Sequence, residues 1–252
     1  MALYPSLRDQ LVLVTGGGGG IGAAIVEAFA QQHADVVFLD VDAAGAERSV
    51  TRVGELGFQR PRFEVCDLRD IPATLVATER LLDGRTPLAL VNNAGNDQAQ
   101  PLKDVTVADW DDRVAVNLRH QFFLSQAVSA RMRRARRGAI VNLGSICWRI
   151  GALDVPVYAT MKSAVEGLTK SLARELGPDN IRVNAVAPGW VLTERQLEKG
   201  RKDPEKFSRY LEKQSLKAHL TPEHIAQAVL WLCADESALC TGQTLAIDGG
   251  IV

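Results

Sequence analysis

The chain has 252 residues, and its 29 lysines and arginines nearly balance its 30 aspartates and glutamates, which gives a formal net charge of −1. Hydrophobic residues make up 46% and charged residues 23%, as is typical of a soluble globular protein with one or two domains. The near-zero charge argues against a general binder of nucleic acid or other polyanions. The four cysteines form no Cys-x-x-Cys pair and no cluster with ligand spacing, so we expect neither a disulfide framework nor a metal site.

The beginning of the chain is not typical of a targeting signal. The segment Met1-Ala-Leu-Tyr-Pro-Ser has no basic stretch and no apolar stretch, which argues against a signal peptide. The longest uncharged run, from Gln10 to Val26, contains six glycines and favours a strand, a turn and a helix over a membrane span. We therefore expect a soluble, cytoplasmic protein that does not associate with membranes.

Short apolar runs alternate with amphipathic stretches along the chain. The runs are rich in Val, Ile and Leu and predict buried parallel strands at 11–15, 36–40, 62–66, 88–92, 139–143, 181–186 and 244–247. Helices are predicted between them, at 21–32, 42–56, 71–82, 106–134, 157–176 and 222–233. This alternation predicts an α/β fold of the Rossmann type, with a doubly wound, mainly parallel sheet of seven strands and helices on both faces.

The segment 190–217 interrupts the alternation before the last strand. It is charged, and its only helix-like patch covers 204–213. An insertion of this kind is more often a lid over a binding site than a new domain. We therefore expect a lid within a single domain that covers residues 1–252.

A glycine-rich turn follows the first predicted strand. Gly16 to Gly20, Ile21 and Gly22 lead directly into the first helix. Glycines let a phosphate approach the backbone, and the start of a helix offers free N–H donors and the positive end of its dipole. The position between the first strand and the first helix favours a pyrophosphate site over a merely flexible turn.

Asp40 ends the second predicted strand, 20 residues after Gly20. A carboxylate at this distance is expected to bond the adenosine ribose hydroxyls and to repel the 2′-phosphate of NADP, so it favours NAD as the cofactor. The simpler alternative is an aspartate that caps the next helix. Asp67, followed by Leu68, ends the third strand, where its side chain either meets the adenine amino group or begins a loop.

The fourth strand ends in Asn93, Ala94 and Gly95. Asparagine side chains bond neighbouring backbone, and small residues let a cofactor lie close. On its own this segment indicates only a turn.

Tyr158 and Lys162 are four residues apart near the start of a predicted helix, so their side chains share a face. Pro156 suits the first turn of that helix, and Asp154 is placed to cap it. A free tyrosine, with a pKa of about 10, is a poor base at neutral pH. A nearby cation stabilises the phenolate, so the pair could form a general base, although such pairs also occur by chance.

Two more polar residues lie near the expected crevice. Ser145 follows the fifth strand, at the end where doubly wound sheets bind ligands. Asn117 lies inside the predicted helix 106–134, where asparagine is slightly unfavourable. It indicates either a helix kink with a bound water or plain exposure.

In this order and spacing, the motifs resemble the short-chain dehydrogenase/reductase family over essentially the whole chain. The resemblance is carried by Thr15-Gly16-xxx-Gly20-Ile21-Gly22, Asn92-Asn93-Ala94-Gly95, Asn117, Ser145, Tyr158-xxx-Lys162 and Asn184-xxx-Pro188-Gly189. It implies an NAD-dependent oxidoreductase with four catalytic residues, Asn117, Ser145, Tyr158 and Lys162.

The resemblance also implies a role for each residue. Tyr158 takes the hydroxyl proton of the substrate, while Ser145 holds the substrate oxygen. Lys162 bonds the nicotinamide ribose and lowers the pKa of Tyr158, and Asn117 holds a water of the proton relay. The residues implied beside the nicotinamide are Pro188, Gly189, Val191 and Thr193.

Finer motifs, such as Gly144-Ser145-Ile146-Cys147-Trp148, resemble the bacterial D-xylose (aldose) 1-dehydrogenases of this family. This implies oxidation of the C1 hydroxyl of an aldose of the D-xylose, L-arabinose, L-fucose or L-rhamnose type to the aldonolactone. The segments 150–157 and 190–217 depart from the xylose-type pattern, which leaves D-xylose itself open. The residues expected to border the sugar are Asn96, Gln98, Ser145, Trp148, Tyr158, Trp190 and Arg195.

Two alternatives remain open. One is an enzyme for another alcohol or ketone, such as a sugar-derived keto-deoxy acid or a 3-oxoacyl group on a carrier protein; Asp40 argues against the latter, which would favour NADPH. The other is a non-enzymatic NAD-binding sensor or scaffold. Its support is the five arginines of the segment 131–137, which more simply form a solvated helix end.

The family resemblance further implies a homotetramer or a dimer. The predicted helices 106–134 and 157–176 would pair across one two-fold axis, with Ala164 and Gly167 allowing close approach. The sheet edge at 244–247 would form a second contact.

Overall fold

The computed structural model describes residues 2–202 and 204–252. Met1, in the predicted chain start, and Asp203, in the predicted lid, lie outside the described residues. Its strands form one sheet, and their bounds are β1 (Leu11–Thr15), β2 (Asp35–Asp40), β3 (Arg62–Val65), β4 (Ala89–Asn92), β5 (Gly138–Leu143), β6 (Ile181–Pro188) and β7 (Thr244–Ile247). The order across the sheet is β3-β2-β1-β4-β5-β6-β7. The predicted seven-stranded α/β sheet is confirmed, and every pairing is parallel rather than mainly so.

Helices cover both faces of this sheet. They are α1 (Gly20–Gln31), α2 (Ala43–Glu55), α3 (Ile71–Leu82), α4 (Val107–Val114), α5 (His120–Ala135), α6 (Pro156–Leu176), α7 (Glu194–Lys202), α8 (Pro204–Lys213) and α9 (Pro222–Cys233). One apolar cluster joins α1 and α9 to the sheet through residues such as Phe29 and Val229. A second joins α3, α5 and α6 through Leu81, Leu124 and Ala173. No helix among the described residues is long and apolar enough to cross a membrane.

The strand order places a crevice at the carboxyl edge of the sheet. From β1 the chain builds outwards through β2 and β3, and it then returns to place β4 on the other side of β1. At such a reversal the loops after the two central strands diverge, which leaves an opening where doubly wound sheets bind ligands. The residues predicted for cofactor and catalysis follow β1, β2, β4, β5 and β6 at this edge.

The predicted helix 106–134 is not uniform. Its first residue, Thr106, is the N-cap, whose hydroxyl accepts a hydrogen bond from the Asp109 N–H while the Asp109 carboxylate accepts one from the Thr106 N–H. Between α4 and α5 the chain forms a π-helical segment, Ala115–Arg119. Asn117 lies in this segment and is fully buried, so the expectation of plain exposure is wrong and that of a helix irregularity is supported.

The start of α6 also differs from the prediction. Pro156 occupies its first turn as expected, but the N-cap is Val155 and Asp154 makes no capping hydrogen bond. Asp154 adopts a left-handed backbone conformation with φ of 59°, and its carbonyl accepts a hydrogen bond from the Gln100 N–H at 2.6 Å. The chain therefore turns one residue too early for the Asp154 side chain to reach the helix.

Candidate active site

A cavity of about 1980 Å³ opens at the carboxyl edge of the sheet. The predicted site residues on its wall are Gly16, Gly20, Ile21, Gly22, Asp40, Asp67, Leu68, Asn93, Ala94, Gly95, Asn96, Ser145, Tyr158, Lys162, Pro188, Gly189, Trp190, Val191, Thr193 and Arg195. The structure thus brings the proposed cofactor and catalytic residues together in one place. Among the described residues, no group of three His, Cys, Asp or Glu side chains is arranged to hold a metal ion.

The glycine turn forms a tight cradle at the start of α1. Gly16 and Gly20 have φ values of 70° and 53°, a region that other residues rarely adopt. A Cβ atom on Gly22 would lie 1.7 Å from the carbonyl oxygen of Gly16, so only glycine fits there. Because α1 begins at Gly20, the first N–H groups of the helix have no acceptor within it and point to an anion site. This backbone fits the pyrophosphate of a dinucleotide.

Asp40 is held rigidly beside this turn. Its Oδ2 atom accepts a hydrogen bond from the Gly18 N–H at 2.7 Å, and its Oδ1 atom accepts one from the Asp42 N–H at 2.9 Å. Asp42, not Asp40, is the N-cap residue of α2. The geometry therefore does not support the capping alternative. Asp40 instead presents a fixed carboxylate on the wall of the cavity.

Two arginines near Asp40 were missed by the sequence reasoning. Arg48 and Arg52 lie on the same cavity wall, although no cation occurs in the glycine turn itself. Arg48 is 3.6 Å from the Asp42 carboxylate, and Arg52 is 3.4 Å from that of Glu27. Arg48 and Arg52 are four residues apart in the sequence, which predicts that they share one face of a helix. This spacing does not reveal that the face borders the cofactor cavity.

Asp67 is engaged by a neighbouring arginine. Arg69 contacts both carboxylate oxygens, at 2.7 to 3.0 Å, and these hydrogen bonds hold the pKa of Asp67 below its usual value. Asp67 also accepts a hydrogen bond from the Arg69 N–H, whereas Asp70 caps α3. Asp67 therefore organises a loop at the cavity wall, and a contact with adenine remains a prediction.

Asn93 ties the end of β4 to the glycine turn. Its side-chain amide donates to the carbonyl oxygens of Thr15 and Gly16 at 2.9 and 3.0 Å, and its own N–H donates to the Thr15 hydroxyl. The segment is thus more than the simple turn that its residue types indicate. It fixes the two central strands of the crevice against each other.

Asn117 lies directly behind the cavity wall. Its Oδ1 atom accepts a hydrogen bond from the Asn96 N–H at 2.9 Å, and its Nδ2 atom donates to the carbonyl oxygen of Arg113 at 3.1 Å. A Cβ atom on Gly95 would lie 3.0 Å from Asn117 Oδ1 and 3.4 Å from Lys162 Nζ. Gly95 is therefore the small residue that lets Asn117 and Lys162 approach each other.

Lys162 is buried, and its Nζ atom donates a hydrogen bond to the carbonyl oxygen of Leu143 at 2.7 Å. Burial lowers the pKa of this amine to about 8. The same ammonium lies 5.5 Å from the centre of the Tyr158 ring. Lys162 is therefore fixed between β5 and α6 beside the tyrosine.

The pKa of Tyr158 is not lowered as expected. Burial raises it well above its usual value, and the neighbouring Cys147 and Asp97 raise it further, while a hydrogen bond with Ser145 and the charge of Arg195 act in the opposite direction. The physical reason is that desolvation of the phenolate outweighs the hydrogen bond with Ser145 and the attraction of Arg195. Ser145, whose hydroxyl accepts a hydrogen bond from the Cys147 N–H, is the polar neighbour that favours the phenolate.

The segment 190–217 folds over the cavity as α7 and α8, and the predicted patch at 204–213 is a helix. The Trp190 ring stacks on Phe207 with 4.6 Å between ring centres. The backbone N–H of Trp190 donates a hydrogen bond to the Tyr210 hydroxyl. The Gln196 side chain accepts a hydrogen bond from Trp190 Nε1 and donates one to Asp97. Asp97 belongs to the wall and was not among the predicted site residues.

Two residues predicted to border the sugar do not line the cavity. Gln98 is exposed, and its N–H donates to the Asn96 side chain. Trp148 is 37% exposed, with the Arg149 guanidinium 5.4 Å from its ring centre. Their contact with a substrate stays a prediction that this geometry does not support.

Comparisons with known proteins agree with the site. A family model described as enoyl-(acyl carrier protein) reductase matches residues 17–252. The chain is 45% identical to a D-xylose 1-dehydrogenase of Caulobacter vibrioides, over 99% of this chain and 98% of that protein. It is 45% identical to a probable galactose dehydrogenase of Rhizobium meliloti, over 98% and 97% of the two chains. A crystal structure of a 3-oxoacyl-[acyl-carrier protein] reductase with bound NAD from Brucella melitensis has a TM-score of 0.89 and 35% identity, covering 99% of this chain and 93% of that one.

The parallel sheet, the glycine cradle and the group of Ser145, Tyr158 and Lys162 define a nucleotide-dependent dehydrogenase. The chain belongs to the short-chain dehydrogenase/reductase family. It is an oxidoreductase that acts on CH–OH donors, and its cofactor is NAD or NADP. The alternative of a non-enzymatic sensor or scaffold is therefore wrong.

Four of the five arginines that supported that alternative form ion pairs. Along the segment 131–137, carboxylates lie within ion-pair distance of four arginines, in the pairs Arg131–Glu79, Arg133–Glu175, Arg136–Asp179 and Arg137–Asp235. These pairs join the end of α5 to neighbouring elements. They fit the simpler interpretation of a solvated helix end.

Proposed function

We propose that this enzyme uses NAD to oxidise the C1 hydroxyl of a neutral cyclic aldose to the aldonolactone. The observation that carries the proposal is the 45% identity, over nearly the whole chain, to proteins named for D-xylose and galactose oxidation. The cavity that Ser145, Tyr158 and Lys162 line together supports it. Differences in 150–157 and 190–217 keep D-xylose, galactose, L-arabinose, L-fucose and L-rhamnose all as candidate sugars.

The catalytic roles follow from the placement of the side chains. Tyr158 takes the proton of the C1 hydroxyl as the C1–O bond becomes a carbonyl, and Ser145 holds that oxygen by a hydrogen bond. Lys162 compensates the charge of the phenolate from which Tyr158 acts as a base, and Asn117 positions the proton relay behind Gly95. When bound, the nicotinamide supplies the acceptor for the hydride that leaves C1.

NAD is the proposed cofactor because Asp40 presents a fixed carboxylate where the adenosine ribose of a dinucleotide would lie. Both of its oxygens are oriented by backbone donors, so the carboxylate cannot turn away from a 2′-phosphate. The glycine cradle would hold the pyrophosphate, and Pro188, Gly189, Val191 and Thr193 would border the nicotinamide. Arg48 and Arg52 are the residues that could assist NADP, but each has a carboxylate partner.

A second candidate is reduction of a 3-oxoacyl group on a carrier protein. The Brucella melitensis reductase, with its TM-score of 0.89, favours it. A keto-deoxy acid derived from a sugar is a further candidate for the same catalytic residues. Asp97 beside Tyr158 disfavours both, because it repels the carboxylate of a keto-deoxy acid and finds no hydroxyl donor on a 3-oxoacyl thioester.

The assembly is proposed to be a homotetramer, with a dimer as the alternative. Trp110 and Phe122, on α4 and α5, are 42% and 43% exposed, and Leu239, near β7, is fully exposed. Gly167 on α6 has no neighbour within 4 Å of its Cβ position, which leaves room for a second helix. These apolar surfaces suit two interfaces. A cytoplasmic location is proposed with it, since the four cysteines are unpaired thiols.

A panel of substrates tests this proposal. Initial rates of NADH and NADPH formation are measured with the five sugars above, with a 2-keto-3-deoxy acid, with simple secondary alcohols and, in the reductive direction, with a 3-oxoacyl thioester. We expect the highest kcat/KM with an aldose and NAD. Turnover of the thioester or the alcohols without any aldose turnover contradicts the proposed function.

A further inference from the structure

Asp97 connects the wall of the cavity to the lid. Its Oδ2 atom accepts a hydrogen bond from Gln196 Nε2 at 2.6 Å, and its Oδ1 atom lies 3.2 Å from Arg195 Nη1. Gln196 in turn accepts a hydrogen bond from Trp190 Nε1 at 2.9 Å. One carboxylate on the loop after β4 thus contacts the side chains of two successive residues of α7.

The same carboxylate belongs to the reaction centre. Asp97 lines the cavity together with Tyr158 and Lys162, and 34% of its side chain is exposed. Burial raises the pKa of Tyr158 and lowers that of Lys162, and the charges of Cys147 and Asp97 raise the pKa of both groups. Asp97 is therefore close enough to contact the substrate whose hydroxyl group Tyr158 deprotonates.

A carboxylate has two oxygens with about four acceptor positions, so it can hold donors from a lid and from a ligand together. Hydrogen bonds to a charged acceptor are shorter and stronger than those between neutral groups. A polyol offers several hydroxyl donors and no charge, whereas a carboxylic acid brings negative charge to the same place and a 3-oxoacyl thioester brings no hydroxyl donor to it. Neighbouring hydroxyls on a ring match the paired oxygens of a carboxylate.

We propose that Asp97 determines specificity by accepting hydrogen bonds from neighbouring hydroxyl groups of a neutral polyol while its contacts to Gln196 and Arg195 hold the lid over that polyol. The proposal rests on the proposed function and deepens it, because it assigns the recognition of the sugar hydroxyls that do not react. In this proposal Asp97 selects neutral polyols by its hydrogen bonds to their hydroxyl groups. The same carboxylate holds α7 over the bound polyol through Arg195 and Gln196.

Three variants separate substrate contact from lid contact. Asp97→Asn removes the charge and one acceptor, and Gln196→Ala removes a lid donor together with the acceptor of Trp190 Nε1. Asp83→Asn makes the same charge change at the exposed end of α3, away from the cavity wall. Each is assayed with the best polyol substrate and with cyclohexanol, which has a ring and one hydroxyl. Melting temperatures check that every variant is folded.

We expect Asp97→Asn to lower kcat/KM for the polyol about 10- to 100-fold, the range for lost hydrogen bonds to a charged group, and for cyclohexanol less than about threefold. Gln196→Ala should lower kcat/KM for both substrates by a similar factor, and Asp83→Asn should change neither value by more than about twofold. An equal loss for both substrates in Asp97→Asn would mean that Asp97 only anchors the lid, which overturns the inference.

A binding measurement distinguishes this outcome from failure of the proposed function. The affinity of the NADH-bound enzyme for a 1,5-anhydroalditol, which has no C1 hydroxyl, is measured by calorimetry for the wild type and Asp97→Asn. If aldoses are oxidised but this affinity is equal in both proteins, the inference fails and the function stands. If the enzyme oxidises another polyol and Asp97→Asn weakens binding about 10-fold or more, the function fails and the inference stands. If the wild type neither binds nor oxidises any polyol, both are wrong.

Discussion

The Lys162 ammonium donates a hydrogen bond to the carbonyl oxygen of Leu143, at the end of β5, while lying 5.5 Å from the ring centre of Tyr158 on its own helix. This contact fixes α6 to the end of β5, the strand that Ser145 follows. The pair at positions 158 and 162 is therefore not a surface tyrosine and lysine that happen to be one helical turn apart. It is a buried unit whose geometry is set by the sheet.

The first prediction concerns Tyr158 itself. Tyr158→Phe keeps the ring and removes the hydroxyl that accepts the substrate proton. Because general acid–base catalysis contributes about 10²- to 10⁴-fold, kcat should fall by at least about 100-fold. NADH binding, followed by fluorescence titration, should be nearly unchanged. A variant that keeps more than a few per cent of wild-type turnover would show that Tyr158 is not the base.

The second prediction concerns the stability cost of burying Lys162. Its pKa is about 8 in the folded protein, against about 10.4 for a free lysine. Between these values the unfolded chain binds the proton that the folded chain has lost, so the free energy of unfolding rises with pH from about 8 to 10. Below pH 8 the destabilisation is fully present, and it amounts to about 3 kcal/mol.

Lys162→Met should therefore be the more stable protein at pH 7, and the difference should shrink as the pH approaches 10. Urea denaturation of both proteins at pH 7, 8 and 9.5 measures this. Parallel stability curves for the two proteins would contradict the assigned pKa. The variant should also lose activity, because the methionine cannot compensate the phenolate charge.

The third prediction concerns acid stability and His120. This histidine is fully buried. Burial, aided by the charge of Lys162, lowers its pKa to about 3. Between pH 6.5 and 3 only the unfolded chain binds a proton at this position, so stability falls as the pH falls through that range.

His120→Gln, which cannot titrate, should lose less stability on acidification. From pH 7 to pH 4.5 the wild type should lose about 2.7 kcal/mol more than the variant, because pH 4.5 lies about two units below the usual histidine pKa and each unit corresponds to about 1.36 kcal/mol. Exposed His224, on α9, provides the matched control as His224→Gln. Equal losses in the wild type and His120→Gln would mean that His120 titrates normally.

The fourth prediction concerns the choice between cofactors. Asp40→Ser removes the fixed carboxylate but keeps a small acceptor near the N–H groups of Gly18 and Asp42. We expect kcat/KM for NAD to fall about 10-fold, the effect of losing a charge-assisted hydrogen bond, and that for NADP to rise. The two values are measured at saturating substrate. An unchanged ratio would remove Asp40 from cofactor selection.

The elements and the cofactor cradle could be predicted because their signals are local. Buried strands appear as short runs of branched apolar residues, and the glycines from Gly16 to Gly22 occur where the first strand meets the first helix. Asp40 was predictable by its distance from that turn. None of these inferences requires knowledge of a partner distant in the sequence.

The remaining features depend on contacts that no local pattern encodes. Gln196 and Asp97 are 99 residues apart in the sequence, so neither residue indicates the hydrogen bond between them. The π-helical segment depends on the Asn117 amide meeting the backbone of Asn96, which the loop after β4 places there. The pKa of Tyr158 was misjudged because the spacing to Lys162 reveals the cation but not the burial.

The most direct test of the central claim follows the hydrogen from C1 of the sugar. An aldose deuterated at C1 is incubated with the enzyme and NAD, and the reduced cofactor is analysed by mass spectrometry. We expect one deuterium in each NADH and an aldonolactone without deuterium at C1. Unlabelled NADH formed together with an oxidised sugar would mean that hydride leaves another carbon, which contradicts oxidation at C1.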